Sequence, residues 1–310
     1  MEKVCVIGSM NMDLVIKTKN LPKKGETILA EELTTIPGGK GANQAVAASR
    51  LGCTVNMIAS VGNDGYGHIL TNALKKDKVI TENILVCNDK PTGTAIINVD
   101  NNGDNTICVV GGANMSIKCE RIAELKEIIQ ESDVVITQFE TPLDSSIEGF
   151  KFAKEKNKIT ILNPAPAREI PKEILRYTDI IVPNETEAFE LTGIEVNDLH
   201  SAEIAAKAFL ENGVKFVVIT LGSKGAAIIS KDKTELIPAY KVQAIDSTAA
   251  GDSFIGALGK SLSNASDLNF DCLKSAVSFG NKVSSITVTR EGAQSSIPTL
   301  KEVKEKYGEK

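Results

Sequence analysis

The stretch Ile245-Asp246-Ser247-Thr248-Ala249-Ala250-Gly251-Asp252-Ser253-Phe254 predicts both a local structure and a ligand site. Residues 242–245 predict a short buried strand. Apolar residues from Phe254 to Leu262 recur at helical spacing, so a helix should begin near Asp252. Small residues between a strand and a helix leave main-chain N–H groups uncovered at the positive end of the helix dipole. We therefore expect an anion, most readily a phosphate, to bind there.

Asp252 adds a carboxylate to this predicted anion site, beside the N–H groups of Ala249, Ala250 and Gly251. A carboxylate is a poor choice for a loop that only binds phosphate, because like charges repel. It is well suited to accept the proton of a hydroxyl group that attacks phosphorus. The alternative is that Asp252 only caps the helix, since Asp is common at helix starts.

Residues 246–254 are similar to the C-terminal signature of the ribokinase-like (pfkB) carbohydrate kinase family. The resemblance implies an ATP-dependent sugar kinase. In it Asp252 is the general base, the amides of Ala249, Ala250, Gly251 and Asp252 form an anion hole, and Gly251 also contacts ATP. Ser247 and Ser253 stand where the family often has threonine, and both keep the hydroxyl group.

Composition limits the classes of protein that the chain can belong to. It has 310 residues, a net charge of −5 and no basic cluster, which argues against nucleic acid and anionic membranes as partners. No apolar run is long enough for a membrane span, and no signal-peptide pattern precedes the first predicted strand. The six cysteines form no CxxC pair, which favours buried, reduced thiols in a cytoplasmic protein. Two histidines make a histidine-rich metal site or a catalytic triad implausible.

Predicted strands and helices alternate along the chain, which indicates a mainly parallel sheet with helices on both sides. The strands are near-continuous apolar runs, typical of strands covered on both faces. The resemblance implies one ribokinase-like domain over residues 1–310, a three-layer α/β sandwich with a small inserted β lid. Strands are predicted at residues 4–8, 55–61, 134–138, 159–162, 180–182 and 216–221, and helices at 41–51, around 69–74 and at 202–210.

Two segments interrupt this alternation and predict a small β unit. Residues 14–37 contain two strand-like runs and no long helix, and residues 92–110 contain two more around the turn Asn101-Asn102-Gly103-Asp104. Such a unit could be a lid, a sheet-edge decoration or a dimer contact. The resemblance implies a lid from about 12–37 and 92–112 that also forms a homodimer interface.

Asn11 and Asp13 follow the first predicted strand, where ligands of open α/β sheets bind. An amide and a carboxylate two residues apart suit a polyhydroxy ligand, although an Asx-turn explains them equally well. In the family, the acidic residue that corresponds to Glu140 contacts a sugar hydroxyl. A solvated carboxylate at a strand end is the alternative for Glu140.

The run Gly38-Gly39-Lys40-Gly41-Ala42-Asn43-Gln44 fits neither a Walker A loop nor a dinucleotide fingerprint. Lys40 is followed by Gly41 and not by Ser or Thr, and Gln44 stands where the third fingerprint glycine would be. A Rossmann dehydrogenase is therefore not supported. The glycines should let the backbone approach a small ligand, with Lys40 and Asn43 as polar contacts. The run resembles the family's N-terminal signature, which implies sugar contacts from Gly38, Gly39, Lys40 and Asn43.

Further segments are assigned to ATP and Mg²⁺ only through the resemblance. Asn184 and Glu187 lie on one face of a starting helix, and a capping box explains their spacing as well. In the family this pair contacts nucleotide phosphate and organises Mg²⁺ through water, which suits a cation that keeps much of its hydration. The glycines after Thr220 fit a βαβ or hairpin turn on spacing alone. The resemblance assigns to ATP the residues Asn184, Thr220, Gly222, Gly225, Gly251 and Asn281.

The resemblance also implies a monovalent cation, K⁺, in an oxygen-only shell beside the anion hole. The residues implied are Asp246, Thr248, Thr287, Arg290, Gly292 and Ser296. The charge of the ion would firm up the loop that shares Asp246 and Thr248. A solvated turn before the last helix is the alternative.

These matches favour ATP-dependent phosphorylation of D-ribose at its primary 5-hydroxyl group. Fructokinase-like, deoxyribose and nucleoside kinases remain alternatives, and so does a non-catalytic sugar or nucleotide sensor. A nucleoside would call for aromatic stacking, whereas the chain has no Trp and only 4% aromatic residues. Polar acceptor residues favour a free sugar.

Overall fold

The computed structural model describes residues 2–308 and confirms the alternation of strands and helices. Most predicted elements agree with the observed ones to within one or two residues. Within residues 2–308 the strands are β1 (Lys3–Ile7), β2 (Asn11–Lys17), β3 (Glu32–Gly38), β4 (Thr54–Gly62), β5 (Ile84–Cys87), β6 (Gly93–Val99), β7 (Asn105–Val110), β8 (Val134–Thr137), β9 (Ile159–Leu162), β10 (Ile180–Ile181), β11 (Phe216–Thr220), β12 (Ala226–Ile229) and β13 (Thr234–Ile237). The α-helices are α1 (Lys40–Arg50), α2 (Gly65–Lys76), α3 (Cys119–Glu124), α4 (Lys126–Glu131), α5 (Leu143–Glu155), α6 (Lys172–Arg176), α7 (Glu185–Thr192), α8 (Leu199–Leu210), α9 (Ala250–Leu262), α10 (Phe270–Thr287) and α11 (Leu300–Tyr307).

The main sheet has the strand order β13-β12-β11-β10-β9-β8-β1-β4-β5. It is parallel from β11 to β5, and β12 and β13 extend it as an antiparallel hairpin. Because strand side chains alternate between faces, Val4 and Val6 of β1 join one core while Cys5 and Ile7 join the other. Both faces are therefore covered, as the apolar strand sequences predicted.

Helices pack on each face of this sheet and complete three layers. Side chains of α1, α2, α9 and α10 belong to one core, and those of α3 to α8 belong to the other. The α1–α9 contact is close because Gly256 faces the main chain of α1, where a Cβ would lie 2.8 Å from the Gln44 carbonyl oxygen. This packing brings the first turns of α1 and α9 together at the carboxyl edge of the parallel strands.

A second sheet, with the order β3-β2-β6-β7, confirms the predicted β unit. Asn11 pairs with Gly38 on one side and with Gly93 on the other, so the strands are aligned at their base. The predicted turn at Asn101 to Asp104 joins β6 to β7 in an antiparallel pair. All six residues of β7 are exposed, and so are Ile96 on the adjacent strand β6 and Leu33 on β3 at the opposite edge of the sheet.

The prediction of a buried strand at residues 242–245 is wrong. The segment is irregular, and Ile245 is 64% exposed. The N–H groups of Ile245 and Asp246 donate to the carbonyl oxygen of Val288, 2.7 and 3.2 Å away, and not to a strand. Residues 242–245 do not extend the main sheet, whose terminal strands are β13 and β5.

The thiols are only partly buried, contrary to the prediction. Cys5, Cys53 and Cys87 are buried, Cys108 is exposed on β7, and all six cysteines are unpaired. Among residues 2–308, no helix is both long and apolar enough to cross a bilayer.

Candidate active site

The first turn of α9 has the features expected of an anion site. Ala249 adopts a left-handed conformation, with φ 58°, which is uncommon for a residue with a side chain and turns the chain sharply into the helix. Within residues 2–308 no acceptor receives the N–H groups of Ala249, Gly251 or Asp252. The N–H of Ala250 differs, because it donates to the Ser247 carbonyl oxygen at 3.2 Å. A Cβ built on Gly251 would meet no described atom within 4 Å, so the space above the turn is open.

The side chain of Asp252 is held by two carboxamides of α1. Asn43 Nδ2 donates to Oδ2 at 2.9 Å, and Gln44 Nε2 donates to Oδ1 at 3.0 Å. Asp252 therefore does not cap α9, since its side chain accepts no main-chain N–H of that helix. The capping alternative for Asp252 is not what the structure shows, and the carboxylate faces the space beside the uncovered amides.

The glycines around Lys40 have a role in chain packing, because the space that a Cβ would need is occupied at each of them. A Cβ on Gly38 would overlap the carboxylate of Asp13. Gly39 has φ +90°, and a Cβ there would lie 2.6 Å from the main-chain nitrogen of Asn11. Gly41 is packed just as closely against the main chain of Ser9. These contacts hold the start of α1 against the β1–β2 connection and so place Lys40 and Asn43 next to Asp252.

Lys40 lies among four carboxylates. Burial alone would lower the pKa of Lys40, but Asp252, Glu140, Glu187 and Asp13 together raise it above its usual value. The ammonium group therefore stays charged. Lys40 therefore interacts electrostatically with all four carboxylates. It also lines the cavity next to the first turn of α9, where a phosphate would bind.

Asp13 and Glu140 lie close to each other and to Lys40, at the base of the small sheet. Burial raises the pKa of Asp13 to about 7, with further increases from Glu140 and Asp252 that Lys40 partly offsets. Glu140 Oε2 accepts the N–H of Lys40 at 3.1 Å and a short hydrogen bond from Ser9 Oγ. Asn11 is 2% exposed.

The oxygen of Asn11 is already paired, because Asn114 Nδ2 donates to Asn11 Oδ1 at 2.7 Å. Asn11 can still offer a ligand its amide N–H groups and the second acceptor direction of Oδ1. The residues predicted to bind sugar thus come together at the base of the small sheet, beside Asp252.

On the other side of Asp252 lies a cavity of about 190 Å³. Among the predicted residues it is lined by Lys40, Asn184, Glu187, Thr220, Ala249, Gly251 and Asp252. The capping-box alternative for Asn184 and Glu187 is confirmed, with Glu187 Oε2 accepting the Asn184 N–H at 2.9 Å. Its second oxygen remains for another partner, and burial raises the pKa of Glu187.

The residues that line this cavity fit a Mg²⁺ ion that is held through water by Glu187, as the resemblance implied. No group of three or more His, Cys, Asp or Glu side chains that could hold a metal occurs within residues 2–308. A hydrated Mg²⁺ bound mainly by phosphates needs no such cluster, and one carboxylate such as Glu187 suffices to hold its water.

The remaining residues assigned to ATP, Gly222, Gly225 and Asn281, do not line this cavity, and each has a structural role. Gly222 and Gly225 form the turn of the β11–β12 hairpin, so the hairpin-turn alternative is confirmed. Gly225 has φ +110° and packs against the Ile237 carbonyl group. Asn281 is buried on α10 and donates to the carbonyl oxygens of Ile237 and Pro238, both at 3.1 Å.

The two segments predicted to hold K⁺ are joined by Asp246. Its Oδ1 accepts the N–H and the hydroxyl of Thr248, at 2.8 and 2.6 Å, and its Oδ2 accepts the N–H of Gly292 at 2.9 Å. Burial opposes ionisation of Asp246, but these bonds lower its pKa. Thr287 is buried and donates to Ser253 of α9 at 3.0 Å, while Arg290 pairs with Glu302.

Ser296 completes this region. Its hydroxyl donates to the Ala293 carbonyl at 2.7 Å and keeps its own oxygen available as an acceptor. The oxygen-rich, anionic character of the two segments fits K⁺.

Sequence reasoning missed a set of buried polar residues behind Asp252. Gln44, Gln138 and Asn163 are each less than 7% exposed and are hydrogen-bonded to one another. A signal was present, because Gln138 and Asn163 each directly follow a strand of four apolar or β-branched residues. The cavity lining also includes Ala165, Val182, Ser247 and Ile255, which had not been singled out for it.

Comparisons with known proteins agree with this arrangement. The profile of the pfkB family carbohydrate kinases matches residues 1–300. The chain is 43% identical to a ribokinase of Staphylococcus aureus over 302 residues, which is 97% of this chain and 98% of that protein. It is 34% identical to a deoxyribokinase of Salmonella typhi over 303 residues, 97% of each. The structure of Arabidopsis thaliana ribokinase complexed with ribose and ATP superposes with a TM-score of 0.88, at 32% identity and over 98% of both chains.

The fold, the carboxylate at the start of α9 and these matches define an enzyme of the sugar-kinase class, a phosphotransferase. The chain belongs to the pfkB family of carbohydrate kinases.

Proposed function

We propose that this enzyme transfers the terminal phosphoryl group of ATP to the primary 5-hydroxyl group of D-ribose, giving ribose 5-phosphate and ADP. The observation that carries the proposal is the position of Asp252, held between Asn43 and Gln44 beside uncovered N–H groups of α9. The ribokinase relatives, and the related structure that contains both ribose and ATP, support the choice of substrates.

In the proposed mechanism Asp252 accepts the proton of the 5-hydroxyl group as its oxygen attacks the γ-phosphorus. The bond between the γ-phosphorus and the bridging β–γ oxygen breaks, and ADP leaves with that oxygen. The N–H groups of Ala249, Gly251 and Asp252, with the charge of Lys40, stabilise the negative charge on the transferring group. The Ala250 N–H adds to them only if its 3.2 Å bond to Ser247 is released.

The sugar is proposed to lie at the base of the small sheet, held by Asn11, Asp13, Gly38, Gly39, Lys40, Asn43 and Glu140. Asn43 Oδ1 supports this placement, because it is buried without a partner in the described part of the chain. A sugar hydroxyl is the donor that this oxygen lacks. 2-Deoxyribose is the main alternative acceptor, because the deoxyribokinase relative covers nearly the whole chain.

ATP is proposed to occupy the cavity lined by Asn184 and Thr220 and to extend past Gly222, Gly225 and Gly251 towards Asn281. Mg²⁺ would be held by the phosphates and, through water, by Glu187, and it would neutralise phosphate charge. K⁺ would be held by oxygens of Asp246, Thr248, Thr287, Arg290, Gly292 and Ser296 and would steady the turn before α9.

The four-stranded sheet is proposed to act as a lid that excludes water from the sugar and to form a homodimer interface. Its exposed apolar residues support the second role, with Leu33, Ile96 and Val110 on one face and Ile107 and Val109 on the other, because uncovered apolar surface favours association. The unpaired cysteines support a cytoplasmic location.

The test is turnover of Asp252→Asn. The variant should bind sugar and ATP with affinities close to those of the parent, since asparagine keeps the size of the side chain, but kcat should fall at least ~100-fold. ADP release with ribose, deoxyribose, fructose and adenosine, each in KCl and in NaCl, identifies the acceptor. Unchanged turnover of Asp252→Asn would refute the mechanism. No ADP release by the parent with any acceptor would favour the sensor alternative.

A further inference from the structure

Behind Asp252, three carboxamides form a buried hydrogen-bonded chain that ends on the main chain of the sheet. Gln44 comes from α1, Gln138 directly follows β8 and Asn163 directly follows β9. Gln44 Nε2 donates both to Asp252 Oδ1 and to Asn163 Oδ1, each at 3.0 Å. Gln138 Nε2 donates to Gln44 Oε1 at 2.7 Å.

The hydrogen bond from Asn163 to the main chain determines which group donates and which accepts in each of the other bonds between the three carboxamides. Asn163 Nδ2 donates to the carbonyl oxygen of Val182 at 3.2 Å, and a carbonyl can only accept. Asn163 therefore presents its oxygen to Gln44, so Gln44 must present its NH₂ group. The Gln44 oxygen then faces away from Asp252, where Gln138 donates to it. Gln44 consequently presents an N–H donor, and not its oxygen, to Asp252.

This hydrogen-bonded network also leaves one buried acceptor unpaired, an unfavourable free-energy term that a purely structural network would avoid. Gln138 Oε1 is buried with no partner in the described part of the protein, and a Cβ at Gly8 would overlap it. An unpaired buried acceptor is unfavourable, and an apolar side chain of similar size would not have one. Gln44 and Gln138 are both fully buried, so contact with water does not explain them.

We propose that Gln44 is a positioning residue for Asp252, and that Gln138 and Asn163 fix the orientation of the Gln44 amide. Two donors on two oxygens, Asn43 on one and Gln44 on the other, hold the carboxylate plane in a single orientation. Each carboxylate oxygen of Asp252 then keeps a further acceptor direction, and one of these is available to the 5-hydroxyl group. The inference rests on the proposed function, because it requires Asp252 to be the base.

The test is a steady-state comparison of Gln44→Leu with the parent enzyme, with ribose and MgATP as substrates. Leucine keeps the volume and removes the donor. Loss of orientation should lower kcat about 10- to 100-fold, as a displacement near 1 Å does. KM for both substrates should change less than about twofold, because Gln44 is fully buried. Gln130→Leu is the matched control, since Gln130 also donates two hydrogen bonds but lies on α4, and its kcat should equal that of the parent.

A double-mutant cycle separates positioning from a general structural effect. In an Asp252→Asn background, Gln44→Leu should lower the residual rate less than about twofold, because residues that act as a unit are not additive. An equal loss in both backgrounds, a loss confined to KM, or a kcat equal to that of the parent would overturn the proposal.

Gln138→Leu provides a second variant should Gln44→Leu fail to fold. It removes the unpaired Gln138 Oε1 but leaves Gln44 Oε1 without its donor, so the number of unpaired buried acceptors is unchanged and the variant should fold. Because the Gln44 amide loses one of the bonds that orient it, kcat should fall about 3- to 10-fold at constant KM. A Gln138→Leu enzyme with the kcat of the parent would overturn the proposal as well. Full turnover by Asp252→Asn would refute the proposed function itself, whereas an inactive Asp252→Asn with a fully active Gln44→Leu would refute only this inference.

Discussion

Replacing Asp13 by asparagine should stabilise the enzyme at pH 8 and weaken its use of sugar. Burial raises the pKa of Asp13 to about 7, and the carboxylates of Glu140 and Asp252 add to the effect. The folded enzyme therefore binds this proton more tightly than the unfolded chain, in which the pKa is near 3.8. At 1.36 kcal/mol for each tenfold change in proton affinity, full ionisation of Asp13 costs about 4 kcal/mol of folding free energy.

The sign follows from which state holds more protons. Between about pH 4 and pH 7 the folded state holds more, so stability falls as pH rises through this range and the loss is complete above pH 7. A neutral asparagine side chain would not suffer this loss. The Asp13→Asn variant should therefore match the parent at pH 4 and exceed it by about 2–4 kcal/mol at pH 8. The lower figure allows for water that enters the site and screens the carboxylates.

Urea unfolding at pH 4.5, 6 and 8, followed by circular dichroism, measures the effect. With an m value near 3 kcal/mol/M, the midpoint for Asp13→Asn at pH 8 should rise by about 1 M. KM for ribose should rise about 10- to 100-fold, the usual worth of a hydrogen bond to a charged group. The exposed Asp89→Asn serves as the control and should show neither change. Parallel stability profiles of Asp13→Asn and the parent across this pH range would refute the reasoning.

Two other substitutions separate folding from ligand binding. Gly251→Ala should raise stability by about 0.5–1 kcal/mol, because alanine is the better helix former and its Cβ meets no described atom. The methyl group should nevertheless lower kcat/KM for ATP at least ~10-fold, because it would occupy the space in which the phosphate binds. Thermal melting measures the change in stability, and initial rates at varied ATP concentrations measure kcat/KM. An unchanged kcat/KM for ATP would contradict a phosphate site at α9. Glu187→Gln keeps an acceptor for the Asn184 N–H and removes a buried charge, so Tm should not fall, while the Mg²⁺ concentration for half-maximal activity rises about 10-fold. An identical Mg²⁺ titration would remove Glu187 from the metal site.

The main sheet could be predicted from sequence because its strands are apolar on both faces. Strand β1 alternates its side chains between two cores, so no polar position interrupts it, and β9 was predicted with its observed bounds. The β6–β7 hairpin was predictable for another reason, since Asn101 to Asp104 is a local turn signal. Each of these features is encoded within a few neighbouring residues.

Features that depend on distant parts of the chain could not be predicted in this way. Residues 242–245 resemble a strand, but their main-chain partner is the Val288 carbonyl at the end of α10. The Gln44 chain requires the ends of β8, β9 and β10 to converge on α1, which no local pattern encodes. The glycines at 39 and 41 were noticed, but only the packed structure shows that main chain occupies the space where their side chains would be.

The small sheet joins the body at four places, before β2, after β3, before β6 and after β7. Pairing of Asn11 with Gly38 and with Gly93 puts three of these crossings on one line, and the end of β7, next to Thr94, continues it. Because the four connections lie along one line, the small sheet can move as a rigid body relative to the main domain only by rotating about that line. Asn11 lies on this axis and Asp13 lies two residues beyond it, so bending would swing the carboxylate through a wider arc than the amide.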